Sequence, residues 1–195
     1  MTVRMTTVEE WDTLYEEADP VPASQVLQDN LHLLPSEGKA LDLACGMAEN
    51  AFLLAQSGLE ATAWDNSSVA VRKVNEKAKT ADLPVLAIQM DILSTPFPKE
   101  AYDVIVFTHF LEQQLSTSVI KALKPGGVLF FQSFIRDKVT DCGPSDLRYQ
   151  LARNELLAMF SDLSLVIYRE EGRLGDTQNG FRNEAMLVAQ KREII

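Results

Sequence analysis

Ala40-Leu41-Asp42-Leu43-Ala44-Cys45-Gly46-Met47-Ala48-Glu49-Asn50 is the stretch whose reading decides the fold. Its apolar start, ending in Asp42 and Leu43, reads as a buried strand. Gly46 supplies a tight turn with close backbone approach, and Ala48 to Gln56 reads as the helix that follows. A further carboxylate, Asp65, comes nineteen residues after Gly46. A strand, turn and helix with an acid about 20 residues onward is a nucleoside-binding arrangement. The amides at the helix start receive a carboxylate or phosphate, and the acid accepts hydrogen bonds from ribose hydroxyls.

The glycines narrow the ligand. A dinucleotide fingerprint wants G-x-G-x-x-G so that backbone can close on a pyrophosphate, and here Gly46 stands alone, with Met47 and Ala48 carrying side chains. The slimmer amino-acid end of S-adenosylmethionine asks less of the loop, so that cofactor is favoured and a nicotinamide-dependent oxidoreductase is disfavoured.

Working outward, strand candidates alternate with helices. Ala40–Ala44, Glu60–Trp64, Val85–Gln89, Tyr102–Phe107 and Gly127–Gln132 read as parallel strands with crossover connections. Before them, Ser24 is placed to cap a helix through Leu34, with Val26, Leu27, Leu31 and Leu34 at helical spacing and Pro35 ending it. Ser67 or Ser68 caps a helix with Ala70, Val74, Ala78 and Ala81 on one face, and Leu111, Leu115, Val119 and Ala122 trace another stripe. Lys124-Pro125-Gly126-Gly127 turns the chain into Val128-Leu129-Phe130-Phe131, apolar on both faces as a central strand should be. After a polar loop from Arg136 to Asp146 and a helix around Asn154–Phe160, Leu163–Arg169 and Glu184–Lys191 read as a long-looped hairpin. The expected fold is α/β: a mostly parallel sheet with an antiparallel last strand, binding ligands at the carboxyl ends of its strands.

Composition bounds the function. A chain of 195 residues has the size of one ordinary domain. A formal charge of −10 argues against a nucleic-acid surface, which needs clustered Lys and Arg, and leaves a small-molecule substrate as the expected partner. Cys45 and Cys142 lie far apart with no metal spacing, so no metal site is expected and a reducing cytoplasm fits. Residues 1–12 hold no apolar leader core, and no run approaches membrane-spanning length.

The motifs together resemble class I S-adenosylmethionine-dependent methyltransferases, and specifically the small tellurite-resistance-like subgroup. Leu41 to Gly46 resembles the family's first motif, Ala63-Trp64-Asp65-Asn66-Ser67 its acidic second, Met90-Asp91-Ile92 its third, Tyr102 to Phe107 its fourth and Leu123 to Gly127 its fifth. Phe110-Leu111-Glu112, Phe131-Gln132-Ser133-Phe134, Gly143-Pro144 and the Glu155–Phe160 stretch resemble the subgroup. The resemblance implies a Rossmann-like three-layer sandwich with a seven-stranded sheet of order 3-2-1-4-5-7-6. It implies a single methyltransferase domain in which an N-terminal helical segment, 1–35, covers the cofactor site of the core, 36–195. It also implies that Asp42 and the Ala44, Cys45 and Gly46 backbone hold the methionine moiety, Asp65 with Asn66 the ribose, and Asp91 with Ile92 the adenine. Thr108 and His109 then line the cofactor and substrate side. The family usually has glycine where this chain has Ala48, so a methyl group is expected near the methionine tail.

Several of these residues carry a second reading. Asp42 needs a partner, either the cofactor's ammonium or amides of the next turn. Asp91 either contacts adenine or caps the turn before Pro96, and Asn50 either orients the methionine end or sits on an exposed helix face. Asp65 also suits a turn before the Ser67 helix. Methyl transfer is an in-line displacement that needs alignment and exclusion of water. A soft anionic acceptor such as selenide, telluride or thiolate requires no general base, whereas a hydroxyl or amine requires one near the end of the fourth strand, where His109 stands. Trp11, Tyr15 and Phe110 suit a lid and substrate pocket, with core packing the competing explanation. The expected function is methyl transfer to a small acceptor, a chalcogen oxyanion or thiol by resemblance. The alternative is a non-catalytic S-adenosylmethionine- or nucleoside-binding protein acting as a sensor or partner subunit.

Overall fold

The computed structural model describes residues 7–193; residues 1–6, at the start of the segment expected over 1–35, and residues 194–195 lie outside the described residues. One sheet is built from β1 (Lys39–Leu43), β2 (Glu60–Asp65), β3 (Val85–Gln89), β4 (Tyr102–Thr108), β5 (Leu123–Phe134), β6 (Ser164–Glu170) and β7 (Glu184–Gln190). The order is β3-β2-β1-β4-β5-β7-β6. The first five strands are parallel, and β7 runs antiparallel to β5 and β6. This is the architecture expected from the alternation of strands and helices and from the family resemblance.

Strand alternation divides the core into two faces. Leu41, Leu43, Ile105, Phe107, Leu129 and Phe131 point to one side, where Val119 of α5 (Ser116–Ala122) and Leu156 of α6 (Glu155–Met159) cover them. Ala40, Ala61, Ala63, Val104, Val106 and Phe130 point to the other. Leu27 of α2 (Gln25–Gln28), Leu54 of α3 (Glu49–Gln56) and Val74 and Ala78 of α4 (Ser68–Ala81) pack there. Burying each large apolar side chain contributes roughly 1.5–3 kcal/mol. The small alanines of β1 and β2 let α3 and α4 approach the sheet closely, which brings their N-termini to the carboxyl ends of those strands.

Three elements differ from the sequence reading. The helix expected from Ser24 through Leu34 is short: α2 ends at Gln28 and only a 3₁₀ turn, Leu31–Leu33, follows. The Asn30 side chain takes the Val26 carbonyl that a longer helix needs, while the Ser24 and Val26 amides, first-turn donors with no partner inside the helix, are satisfied by tertiary contacts. Ser24 N and Oγ both donate to Asn50 Oδ1 at 2.8 Å, Val26 N donates to Gln132 Oε1 at 2.7 Å, and Asn30 Nδ2 donates to the Val26 carbonyl at 2.8 Å. Leu111 lies outside α5, because Glu112 is extended and Gln113–Leu115 form a 3₁₀ turn, although the whole stripe is buried. Strand β5 starts at Leu123; a Cβ on Gly127 would lie 2.9 Å from the Lys124 carbonyl, so that position needs glycine.

Helix α1 (Val8–Glu17) carries a capping box between Thr7 and Glu10 and buries no residue. Polar contacts dock it on α4. Asp12 accepts from Ser67 Oγ at 2.5 Å and from Val69 N at 3.3 Å, and Lys73 Nζ donates to the Tyr15 and Glu16 carbonyls at 2.7 and 2.6 Å. Within α4, Ser67 is the capping residue, its Oγ accepting from Ala70 N at 3.1 Å. Docked in this way, α1 crosses the loop that follows β1.

Candidate active site

The loop after β1 is held by left-handed backbone at alternate positions: Ala44 (φ 54°), Gly46 (φ 53°) and Ala48 (φ 59°). Only at Gly46 is glycine present, and there space demands it too, since a Cβ would lie 2.9 Å from Tyr15 Oη. At Ala48 the left-handed conformation costs about 1–2 kcal/mol. Its methyl group is fully buried, in the apolar cluster that contains Val26, Leu27 and Phe52, and so does not stand in an open groove.

Two buried carboxylates close the loop. Asp65, at the end of β2, accepts from Gly46 N at 2.8 Å and from Ser67 N at 2.9 Å, which ties the tip of β1 to the start of α4. Asp42, 1% exposed, accepts from Ala51 N at 3.1 Å and from Asn50 Nδ2 at 3.4 Å. Burial pushes both carboxyls up, Asp42 to about 7, against the hydrogen bonds that favour their anions, and other carboxylates push in the same direction. Burial, with the nearby Asp42 and Asp65, also raises the Cys45 thiol. Burial raises the Tyr15 hydroxyl as well, with Asp65 and Cys45 adding to it. Among the described residues neither Asp42 nor Asp65 is ion-paired with a basic side chain; Lys77 and Lys73 of α4 are spent on Glu49 and on the Tyr15 carbonyl.

Asn50 is buried rather than on an exposed helix face, and it joins the site together. Its Nδ2 donates to Asp42 and, at 3.2 Å, to Thr108 Oγ1 at the end of β4, while its Oδ1 receives both Ser24 donors. A second chain of contacts lies beside it. Gln132 on β5 accepts from Val26 N and donates to Glu184 on β7, and Glu184 Oε2 lies 3.1 Å from His109 Nε2. His109 itself is left-handed (φ 58°), with its N–H donated to the Gln132 carbonyl at 2.8 Å.

Asp42, Ala44, Cys45, Gly46, Asn50, Asp65 and Thr108 therefore stand together, with Tyr15 over them and Trp11 stacked on Tyr15 at 5.7 Å between ring centroids. Asn66 continues from Asp65 and accepts from Gln89 Nε2 through its carbonyl at 3.0 Å. Asp91 is exposed and its carboxylate is committed to a turn, accepting from Leu93 N at 3.0 Å and Ser94 Oγ at 2.8 Å. Ile92 is buried in the cluster that holds Trp64. Phe110 packs on Phe107 at 6.1 Å and belongs to the edge of the core. The sequence offers Ser24 only as a helix cap and Gln132 only within a strand and a subgroup motif, and Glu184 and Asp12 not at all as site residues; their partners are 26 to 106 residues away, and no local pattern marks this part in the network.

Beyond His109, a cleft of about 380 Å³ opens between the segment after β4 (Leu111, Glu112, Gln113) and the segment after β5 (Arg136, Arg148, Tyr149, Gln150), with Glu155 beside it. The Gly172–Gly180 loop is folded on itself, Arg182 donating to the carbonyls of Gly172, Leu174, Asp176 and Asn179. Among the described residues no group of three or more His, Cys, Asp or Glu could hold a metal ion, and no helix is long and apolar enough to cross a membrane.

A 3-2-1-4-5-7-6 sheet with a glycine turn after β1 and an acid closing β2 is the class I methyltransferase fold. Comparison with known proteins gives the particulars. Residues 40–127 match the family model described as a methyltransferase domain. The chain is 27% identical over 158 residues to YqeM of Bacillus subtilis, provisionally named a methyltransferase, covering 71% of this chain and 64% of that protein. It therefore spans less than two thirds of that relative's length. The crystal structure of TehB from Haemophilus influenzae superimposes with a TM-score of 0.72 at 24% identity, covering 94% of this chain and 67% of that one. SpnF, named a [4+2]-cyclase, superimposes at 0.69 with 19% identity over 94% and 81%. The resemblance to class I methyltransferases drawn from the motifs is borne out, while the SpnF likeness illustrates that a fold does not by itself fix a reaction.

Proposed function

We propose that the protein is an S-adenosylmethionine-dependent methyltransferase acting on a small molecule. The observation that carries this reading is the pair of buried carboxylates around the Gly46 turn, Asp42 and Asp65, neither of them matched by a basic side chain among the described residues. Two buried carboxylates raised by burial favour a ligand bearing positive charge, and S-adenosylmethionine carries an ammonium and a sulfonium. A pyrophosphate-bearing dinucleotide would meet repulsion there instead.

On this reading Asp42, oriented by Asn50 and Ala51 N, receives the ammonium, and Asp65, preset by two backbone donors, receives the ribose hydroxyls. Ile92 offers adenine an apolar wall, with the Asp91 turn beside it. Segment 7–35, through Tyr15 and Trp11, covers the groove and excludes water. When bound, the cofactor supplies an electrophilic methyl group; the chain's own task is to align an acceptor with it. The subgroup resemblance favours a chalcogen oxyanion or a thiol as that acceptor, and two unpaired cysteines fit a reducing, cytoplasmic setting.

The test is calorimetry with S-adenosylmethionine and S-adenosylhomocysteine, followed by assay of methyl-labelled S-adenosylmethionine against small acceptors. Saturable binding of both and release of S-adenosylhomocysteine are expected. Binding without turnover on any acceptor would favour the sensor reading; no binding would end both.

A further inference from the structure

We infer that His109 and Glu184 form a base dyad, with Glu184 as the positioning residue, so that the acceptor is a protic nucleophile, a hydroxyl, amine or thiol, that gives up a proton during methyl transfer. The inference rests on the proposed methyltransferase reading and narrows its acceptor.

Position comes first. His109 follows Thr108, the last residue of β4, whose Oγ1 accepts from the same Asn50 that orients Asp42. The imidazole thus stands one residue from the network assigned to the cofactor, and Leu111, two residues further on, lines the cleft between the segments after β4 and β5. Its backbone is pinned in a left-handed conformation by the Gln132 carbonyl. Non-glycine residues held so are concentrated at functional sites.

Orientation comes second. Nε2 lies 3.1 Å from Glu184 Oε2, and the same carboxylate oxygen accepts from Gln132 Nε2, itself fixed by Val26 N. The Glu184 side chain is 18% exposed and His109 40% exposed, so the acid sits behind the ring and the ring faces outward. Burial would raise the Glu184 carboxyl, but the hydrogen bond and charge of His109, with the Gln132 amide, outweigh it and keep the group below its ordinary value. Whenever the ring is neutral, the anionic oxygen against Nε2 favours the proton there and leaves the Nδ1 lone pair free. A nucleophile's base with its second nitrogen fixed by a carboxylate is the usual arrangement for general-base activation.

The step balances. Nδ1 takes the proton of the acceptor's X–H bond as the X lone pair forms a bond to the methyl carbon. The carbon–sulfur bond breaks, and its electrons return to sulfur, giving neutral thioether. The imidazolium formed is paired with Glu184, and bulk water later removes its proton. An acceptor that arrives fully ionised would need none of this.

The chain has two histidines, so His32→Gln leaves His109 as the sole imidazole. Long-range proton–nitrogen NMR of that protein with bound S-adenosylhomocysteine reads the tautomer directly. In spectra taken where the ring is neutral, we expect the Nε2–H tautomer, a mixture in Glu184→Ala, and return to the Nε2 form in Glu184→Gln, which keeps an acceptor oxygen. With methyl-labelled cofactor and 2-mercaptoethanol, catechol, ethanolamine, selenite and tellurite as acceptors, transfer should favour the first three. There Glu184→Ala and His109→Gln should lower kcat by about tenfold or more with KM for the cofactor unchanged. An Nδ1-protonated ring, a tautomer indifferent to Glu184→Ala, or transfer confined to the oxyanions would overturn the dyad while leaving the methyltransferase reading intact. Failure to bind S-adenosylhomocysteine would overturn both.

Discussion

Ligand binding should release a proton, and Asp42 should be its source. The carboxyl is raised to about 7 and is therefore close to half protonated at neutral pH in the free protein. A cation placed beside it favours the anion, so at pH 7 binding of S-adenosylhomocysteine should expel roughly half a proton, rising to about 0.9 at pH 6 and falling to about 0.1 at pH 8. Below pH 7 the dissociation constant should weaken by close to tenfold per pH step, and above pH 8 it should be flat. Calorimetry in phosphate and in Tris, whose ionisation enthalpies differ, measures the released proton directly. Asp42→Asn should abolish the release and weaken binding at pH 8 by about ten- to a hundred-fold, the loss of a charge-assisted hydrogen bond of roughly 1.5–3 kcal/mol. The sign for stability is opposite. A raised carboxyl disfavours the folded anion, so the free protein carries a penalty of order 4 kcal/mol above pH 7 that is relieved as pH falls toward 4. Asp42→Asn should therefore raise the free protein's Tm at pH 8 and not at pH 4. A pH-independent affinity with no buffer-dependent heat would refute the assignment of Asp42 to the ligand's ammonium.

Asp65→Ala should weaken cofactor binding by about ten- to a hundred-fold, through loss of the ribose contact and of the anchor on Gly46 N and Ser67 N; titration calorimetry at unchanged affinity would count against the ribose role. Asn50→Leu strands the Ser24 donors and Thr108, and urea unfolding should show a loss of about 2–4 kcal/mol. Ala48→Gly removes the cost of a left-handed alanine and should stabilise the fold by up to about 1 kcal/mol, read as a rise in Tm, with cofactor affinity retained.

The parts of this molecule that could be read in advance are those whose cause is local. The Gly46 turn, the acid at residue 65 and the apolar run from Val128 to Phe131 each depend on neighbours in the chain, whereas the sheet order comes from the family resemblance those motifs carry. The start of α2 after Ser24 is legible but its end at Gln28 is not, because Asn30 turns its side chain onto the Val26 carbonyl and the segment is tied by Ser24 and Val26 to Asn50 and Gln132, 26 and 106 residues away. Glu184 escaped notice for a similar reason. On β7 it reads as the polar start of a strand, and only the antiparallel pairing Phe134↔Glu184 brings it beside His109. Asp91 shows the converse: its local turn chemistry, legible from the start, has claimed its carboxylate.

The same contacts set an order of rigidity around the groove. Residues 24–26 join its two halves, Ser24 through Asn50 to Asp42 and Val26 through Gln132 to Glu184 and His109, and α2 is anchored by the fully buried Val26 and Leu27. Helix α1, which places Tyr15 against Gly46, has no fully buried residue, its aromatics Trp11 and Tyr15 being half-buried, and is held largely by polar contacts and by exposed pairs such as Arg72 with Glu16, each such pair worth about 0–1 kcal/mol. Local opening follows the weakest set of contacts. Uncovering the Gly46 turn therefore costs far less than disturbing the network beneath it, so a ligand can enter past Tyr15 while Asp42, Asn50, Gln132 and Glu184 keep their geometry.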